Sequence, residues 1–230
     1  MNAISPYSVT FVGAFVVSFA VVFLLLKKRG VPTNYIGYSV LLNVVLVLYG
    51  AKLFTVVTRG FQISIFTAGF SSLGGAIGLL VGIFVFGRIY PEGRTYLREA
   101  YVTVLPLLYG ISKIGCYLVG CCHGIPYEGP LAVVYDSDYM QGGPYFPVQL
   151  VESIGFLGIF GVGLLIYLRA NRRNLVPVIM ILCAVAKFLP DYLREEHLGK
   201  ILSANQVVCI VFFLWGVITL LKNKNKIHAA

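Results

Sequence analysis

Three cysteines, a histidine and a set of basic and acidic residues stand near the ends of apolar runs in this chain, and such side chains can act on an anion or a thiol. Lys113 is followed by Cys116 and then by Cys121, Cys122 and His123. The thiolate is the nucleophilic form of cysteine, so Cys121 or Cys122 beside a cation or the His123 imidazole is a candidate catalyst or substrate contact. Two other readings stay open: a disulfide in an oxidising compartment, with Cys116 as a third partner, or packing as small hydrophobes. Adjacent cysteines on one strand suit a tetrahedral ion poorly and no distant second pair exists, so neither a metal nor a cofactor is expected. Cys183 and Cys209 fall inside later apolar runs and read as packing residues.

Lys52, Lys113, Lys187 and Arg194 lie inside or at the edge of apolar runs, where an ionisable group is expensive and is a functional candidate by default. One such lysine can simply snorkel to the lipid headgroups. Three of them, joined by Arg194, favour a site for an anion. Glu152 and Asp191 read as salt-bridge partners of these cations, and Asp191 shares a helix face with Arg194 three residues on. Gln149 and Glu152 can order a neighbouring loop or touch a substrate. Gly74, Gly75 and Gly78 either let two helices approach closely or belong to a site. His197 follows an acidic pair and reads as a solvated loop residue; His228 belongs to the tail.

The elements that must position these residues follow from composition. The 230 residues are 58% hydrophobic and 12% charged, with a mean hydropathy of +0.86, too apolar for an ordinary soluble domain. Lipid is the expected solvent, and a run of roughly 20 apolar residues spans it as a helix. Seven runs qualify, at 9–26, 35–57, 65–86, 100–120, 148–168, 175–193 and 202–221, so the expected fold is an all-α polytopic membrane protein in one domain. The first run is followed, not preceded, by its basic cluster, so it reads as a retained span rather than a cleaved signal peptide. The polar interruption at 121–146, rich in Gly, Pro and Tyr, is expected to form a small cap with short strand pieces such as 131–135. A net charge of +9 could suggest a nucleic-acid partner, but the positives sit in alternate loops: Lys27, Lys28 and Arg29; Arg88, Arg94 and Arg98; Arg169, Arg172 and Arg173; Lys222, Lys224 and Lys226. The positive-inside rule makes those loops cytoplasmic, which places the N-terminus and the 121–146 cap outside and the C-terminus inside the plasma membrane.

Lys113, Ile114, Gly115, Cys116, Tyr117, Leu118, Val119, Gly120, Cys121, Cys122, His123, Gly124, Ile125 and Pro126, followed by Pro147, Val148, Gln149, Leu150, Val151 and Glu152, carry a further signal. This pattern resembles the prolipoprotein diacylglyceryl transferase family, whose signature reads Gly-Arg-Ile-Gly-Asn-Phe-Ile-Asn-Gly-Glu-Leu-Tyr-Gly-Arg and then His-Pro-Ser-Gln-Leu-Tyr-Glu. Leu73 to Gly78 look like the family's His-Gly-Gly-Leu-Ile-Gly, and Gly50, Ala51 and Lys52 look like its Gly-Ala-Arg. Lys187, Phe188, Asp191 and Arg194 are similar to its Arg-Phe-x-x-Glu-x-x-Arg, and Gln206 falls where a Gly-Gln pair opens the last helix.

The resemblance implies a membrane-embedded site that transfers the diacylglyceryl group of phosphatidylglycerol to the thiol of a lipobox cysteine, releasing glycerol phosphate. It puts the phosphate on Lys52, Lys113, Lys187 and Arg194, and a prolipoprotein or other thiol or hydroxyl acceptor nearby. Three lysines stand where the family has arginine, and lysine lacks the flat two-toothed fork with which arginine holds a phosphate. Leu73 stands where the family has a histidine implicated in catalysis, and Cys116 and Cys121 replace its asparagine and glutamate. The expected activity is thus phospholipid-dependent group transfer by a bacterial membrane enzyme with exchanged catalytic positions. Its rivals are a lipid-binding accessory protein that lost the reaction and a lipid transporter. Charges gathered toward one half of the membrane argue against the through-path that a transporter needs.

Overall fold

The computed structural model describes residues 5–137, 140–169 and 172–228. In chain order the elements are α1 (Pro6–Lys28), α2 (Thr33–Thr58), α3 (Ser72–Ile89), α4 (Arg94–Val119), β1 (Val133–Ser137), β2 (Met140–Tyr145), α5 (Val148–Leu168), α6 (Leu175–Asp191) and α7 (Ala204–His228), with a 3₁₀ turn at Glu195–His197. Among the described residues six helices, α1 to α5 and α7, are long and apolar enough to cross a bilayer. The seventh, α6, has 17 residues and rises about 26 Å, close to the roughly 30 Å of a hydrocarbon core. The protein is therefore an all-α polytopic membrane protein with a small antiparallel hairpin between α4 and α5.

Two helix starts differ most from the hydropathy reading, for identifiable reasons. The third span begins at Ser72 rather than at 65, because the Ser71 hydroxyl accepts the Gly74 amide at 3.3 Å and caps the helix there. Gly60 and Phe61 just upstream are both left-handed, with φ of 63° and 62°. The fourth span begins at Arg94 rather than at 100, since its first turns alternate charged residues with the buried Leu97, Ala100 and Tyr101. The expected strand at 131–135 is β1, shifted by two residues and paired with β2 through Val133 opposite Tyr145 and Tyr135 opposite Gly142.

The chain divides into two compact units, and the division falls inside α1 and α4. In the unit of residues 19–105, α2 and α3 meet backbone to backbone. A Cβ added to Gly50 would lie 2.7 Å from the Gly74 carbonyl oxygen, and one added to Gly78 would lie 2.8 Å from the Leu46 carbonyl carbon. Without side chains at these positions the helices gain dispersion contacts that no hydrophobic effect supplies inside lipid. Fully buried Asn43 donates to the Ser39 carbonyl at 2.8 Å, and the Ser39 hydroxyl meets the Tyr101 hydroxyl at 2.9 Å, so these three buried residues form one connected polar string.

The other unit, residues 1–18 and 106–230, packs α5 on α6 and α6 on α7. The Ser153 hydroxyl of α5 donates to the Gly110 carbonyl of α4 at 2.8 Å. Residues 124–127 lie between two other segments: Gly124 and Tyr127 donate to Phe146 and Pro144, and Ile125 donates to Leu193, at 2.9–3.1 Å. This short ladder fixes the end of α4, the start of α5 and the end of α6 against one another.

Gly78→Ala should cost about 1–3 kcal/mol, the usual toll of overpacking a close contact. Gly158→Ala in α5, where an added Cβ meets nothing within 4 Å, should be neutral or stabilise by about 0.5–1 kcal/mol. Unfolding of the two variants in detergent micelles, followed by circular dichroism, checks this, and equal stabilities would refute the close-packing account.

A buried cation cluster as candidate functional site

Glu152 sits one turn into α5, and its side chain has no exposed surface. Three cations from separate parts of the chain converge on it. Lys187 of α6 donates to Oε1 at 2.8 Å, Lys113 of α4 lies 3.4 Å from Oε2, and the Arg194 guanidinium, just past α6, donates to Oε2. Asp191 is the second carboxylate, with Oδ1 3.7 Å from both Lys187 Nζ and Arg194 Nε. Among these five side chains three cations face two carboxylates, so the carboxylates leave one positive charge unmatched. Arg194 Nε is buried and has no hydrogen-bond partner among the described residues. Burial opposes the Arg194 charge, but Glu152 opposite it holds the guanidinium above its ordinary range.

The two glutamines act as ties between elements. Gln149 Nε2 donates to the Cys121 carbonyl at 3.0 Å while its Oε1 accepts the Tyr135 hydroxyl at 3.2 Å, so it holds the end of α4 to the hairpin. Gln206 takes the Ser203 amide at 3.0 Å and donates to the Phe188 carbonyl at 3.3 Å, so it caps α7 against α6. Burial raises the Tyr135 hydroxyl above the usual phenol range, which keeps it a donor.

His197 is buried, not solvated: the 3₁₀ turn leaves Glu195 and Glu196 in solvent and swings His197 inward. Its Nδ1 lies 3.6 Å from Asp191 Oδ2, and its ring meets Tyr192 edge-on at 4.7 Å. His123 lies beside the hairpin, its ring tilted against Tyr145 at 4.8 Å, with Nε2 3.4 Å from the Glu195 carboxylate. Residue type alone does not mark Tyr109, Ser203 or Asn205, whose Nδ2 donates to Asp191 Oδ1 at 3.4 Å. The Tyr109 ring lies 5.2 Å from Lys113 Nζ and 5.7 Å from Lys187 Nζ, and the Ser203 hydroxyl donates to Asp191. Tyr109 could have been found from its place one helical turn before Lys113; Ser203 carries no such signal.

The thiols of Cys116, Cys121 and Cys122 are free, and their sulfurs all lie within 4.8 Å of one another. The two adjacent cysteines occupy a turn, not a strand, in which Gly120 and Cys122 are left-handed with φ of 74° and 57°. Contacts from Cys116 and Cys121, together with Lys113, bring Cys122 well below the ordinary thiol range, while contacts from Cys116 and Cys122 and burial push Cys121 up.

Lys52, Leu73, Gly74 and Gly75 belong to the other unit. Lys52 Nζ donates to the Ile65 and Phe66 carbonyls at 3.2 and 3.0 Å and lies over the Phe70 ring, so here it closes the loop before α3. Gly74 and Gly75 face α2, and Leu73 is buried.

Removing the common carboxylate should leave three buried cations with one partner. Glu152→Gln is therefore expected to destabilise the protein by about 3–5 kcal/mol, a loss that added salt does not rescue because the charges are out of reach of solvent ions. Denaturant titration in micelles at low and high ionic strength measures both effects.

Comparison with known proteins sets this arrangement in a family. Residues 1–222 match the prolipoprotein diacylglyceryl transferase family. The phosphatidylglycerol-prolipoprotein diacylglyceryl transferase 2 of Clostridium perfringens is 28% identical over 222 residues, covering 89% of this chain and 86% of its own. The corresponding enzyme of Chlamydia pneumoniae is 29% identical over 215 residues, 82% of this chain and 73% of its own, and that of Clostridium tetani is 23% identical over 204 residues, 83% and 82%. A match over nearly the whole length, together with the apolar helices and the order of the motifs, establishes that the chain belongs to the prolipoprotein diacylglyceryl transferase family.

Proposed function

We propose that this protein transfers a diacylglyceryl group from a phosphatidylglycerol-like phospholipid to the thiol of a prolipoprotein, at the outer face of the plasma membrane, with its N-terminus outside and its C-terminus in the cytoplasm. The observation that carries the reading is the convergence of Lys113, Lys187 and Arg194 on Glu152 with one positive charge in excess. A phosphodiester headgroup carries one negative charge and matches that excess. The relatives' names, which give phosphatidylglycerol and prolipoprotein, and the alternation of basic loops support the substrate and the orientation.

The reaction forms a sulfur–carbon bond and breaks the bond between the glycerol carbon and the phosphate oxygen. The electron pair goes to glycerol phosphate, so negative charge moves from the acceptor sulfur onto the phosphate. Fixed cations stabilise that charge where it develops, and the Arg194 Nε–H, which makes no hydrogen bond among the described residues, adds a donor to them. The acceptor thiol must also lose a proton. Cys121 and Cys122 are unsuited to carrying the group, because a thioether on either would be a stable product. An apolar groove of about 240 Å³ between α6 and α7, lined by Val185, Phe188, Cys209 and Phe213, suits an acyl chain.

A second reading, a lipid-binding protein without turnover, is favoured by Leu73, buried and apolar at the family's histidine position. Incubating the purified protein with phosphatidylglycerol and a lipobox peptide separates the two by mass spectrometry: a thioether peptide with released glycerol phosphate against bound lipid alone. Lys113→Gln, Lys187→Gln and Arg194→Gln should each remove a charge-assisted contact worth about 1.5–3 kcal/mol and lower turnover by about ten-fold or more. Lys222→Gln near the C-terminal end of α7 should change little. Turnover at the parental rate in all three cluster variants would overturn the phosphate assignment.

A further inference from the structure

The proposed reaction alkylates a thiol, yet Leu73 stands where the family has a histidine to assist that step, and three cysteines have gathered beside the cations instead. We propose that Cys116, Cys121 and Cys122 form a zinc site with one open position, and that this position takes the acceptor thiol. The proposal rests on the transferase reading for its role, but not for its chemistry.

Geometry carries it. Zinc–sulfur bonds of about 2.3 Å in a tetrahedral or trigonal arrangement put the sulfurs roughly 3.8–4.0 Å apart, within a small contraction of the observed grouping. The three Sγ atoms already lie within 4.8 Å of one another, and none is tied up in a disulfide. Their positions are held from several sides. Cys116 is buried in the last turn of α4, and the turn at Gly120 and Cys122 is left-handed, a conformation that a non-glycine residue keeps only where its surroundings enforce it. Gln149 fixes the Cys121 carbonyl at 3.0 Å, and the Gly124–Phe146 backbone bond pins the chain just beyond.

Ligand count agrees. Lys113 of the cation cluster lies one turn before Cys116, which sets the two groups side by side. Among the described residues no fourth Cys, His, Asp or Glu atom joins the group, and Cys121 and Cys122 are half-buried rather than sealed, which leaves a fourth position for an incoming ligand. Three protein ligands with one open place is the arrangement of catalytic rather than structural zinc, and a thiol that binds there is deprotonated by the metal. The acceptor S–H proton passes to solvent, and the bound sulfur attacks the glycerol carbon. The C–O pair departs with glycerol phosphate into the cation cluster, and the neutral thioether, a weak ligand, leaves the zinc.

The test uses the full chain in detergent, titrated with zinc(II) and, for its spectrum, cobalt(II). One metal per chain is expected, with sulfur-to-cobalt charge-transfer absorption. The metal should protect Cys116, Cys121 and Cys122 from maleimide, read by peptide mass mapping, while Cys183 and Cys209 react as before. Adding a lipobox peptide should shift the cobalt bands toward four-sulfur coordination, and the same peptide with serine for cysteine should not. Cys116→Ser, Cys121→Ser and Cys122→Ser should each weaken the metal at least ten-fold, with Cys183→Ser as a control; the protection map answers the question even if a variant fails to fold. Absence of stoichiometric binding, or binding that leaves the three thiols exposed, overturns the site. Binding with no response to the peptide thiol overturns its role. Metal and peptide coordination without thioether formation from phosphatidylglycerol leaves the site standing and instead removes the transferase reading.

Discussion

The unit that holds the cation cluster depends on a single buried carboxylate. Glu152 is enclosed in low-dielectric surroundings, where an unpaired charge is prohibitively costly, and Lys113, Lys187 and Arg194 would repel one another without it. Together they satisfy one another, and because they come from α4, α5, α6 and the segment after α6, the pairing also fixes those elements. One carboxylate cannot neutralise three cations, and Asp191 at 3.7 Å supplies only one more negative charge. The residual positive charge is thus a consequence of how the helices are held, and the affinity for an anion inferred above comes from the same interaction that orders the fold.

Around that centre the backbone does the positioning. The ladder through residues 124–127 joins Phe146, Pro144 and Leu193, and it holds His123 and Arg194 at adjacent points of one network. Gln149 and Gln206 extend the same function with neutral amides, which link loops to helices without adding charge to a site whose balance matters. The thiols enter by another route. A left-handed turn at Gly120 and Cys122 reverses the chain just past α4 and returns two sulfurs to the third, on the helix end. In the proposed function the cations receive the leaving phosphate, and in the proposed zinc site the thiol cluster prepares the acceptor, so the two halves of the reaction fall to two adjoining groups of side chains.

The unit of residues 19–105 shows how residue type alone can mislead. Lys52 is a cation near the end of an apolar run, as Lys113 and Lys187 are, but its donors are taken by two carbonyls of the loop before α3. Gly74 serves the approach of α3 to α2, where a side chain would collide with backbone. Both residues fall within family motifs, and in this unit both have structural work that the motif match does not reveal.

Hydropathy by itself determined the number and approximate placement of the helices, because about 20 apolar residues are what a bilayer requires and little else satisfies the backbone there. It failed at the starts of α3 and α4, where the Ser71 cap and an amphipathic first turn, not apolarity, set the boundary. The sequence also marked Lys113, Lys187, Arg194 and Glu152, since charges at such positions are rare. It could not show that they meet, because the contacts of Lys187 and Arg194 with Glu152 span 35 and 42 residues and depend on helix packing. The inward turn of His197 and the grouping of three sulfurs are likewise products of local backbone reversal. A string of residue types carries no direction for a side chain; that was decided by the tertiary structure, where each buried charge had to find its partner.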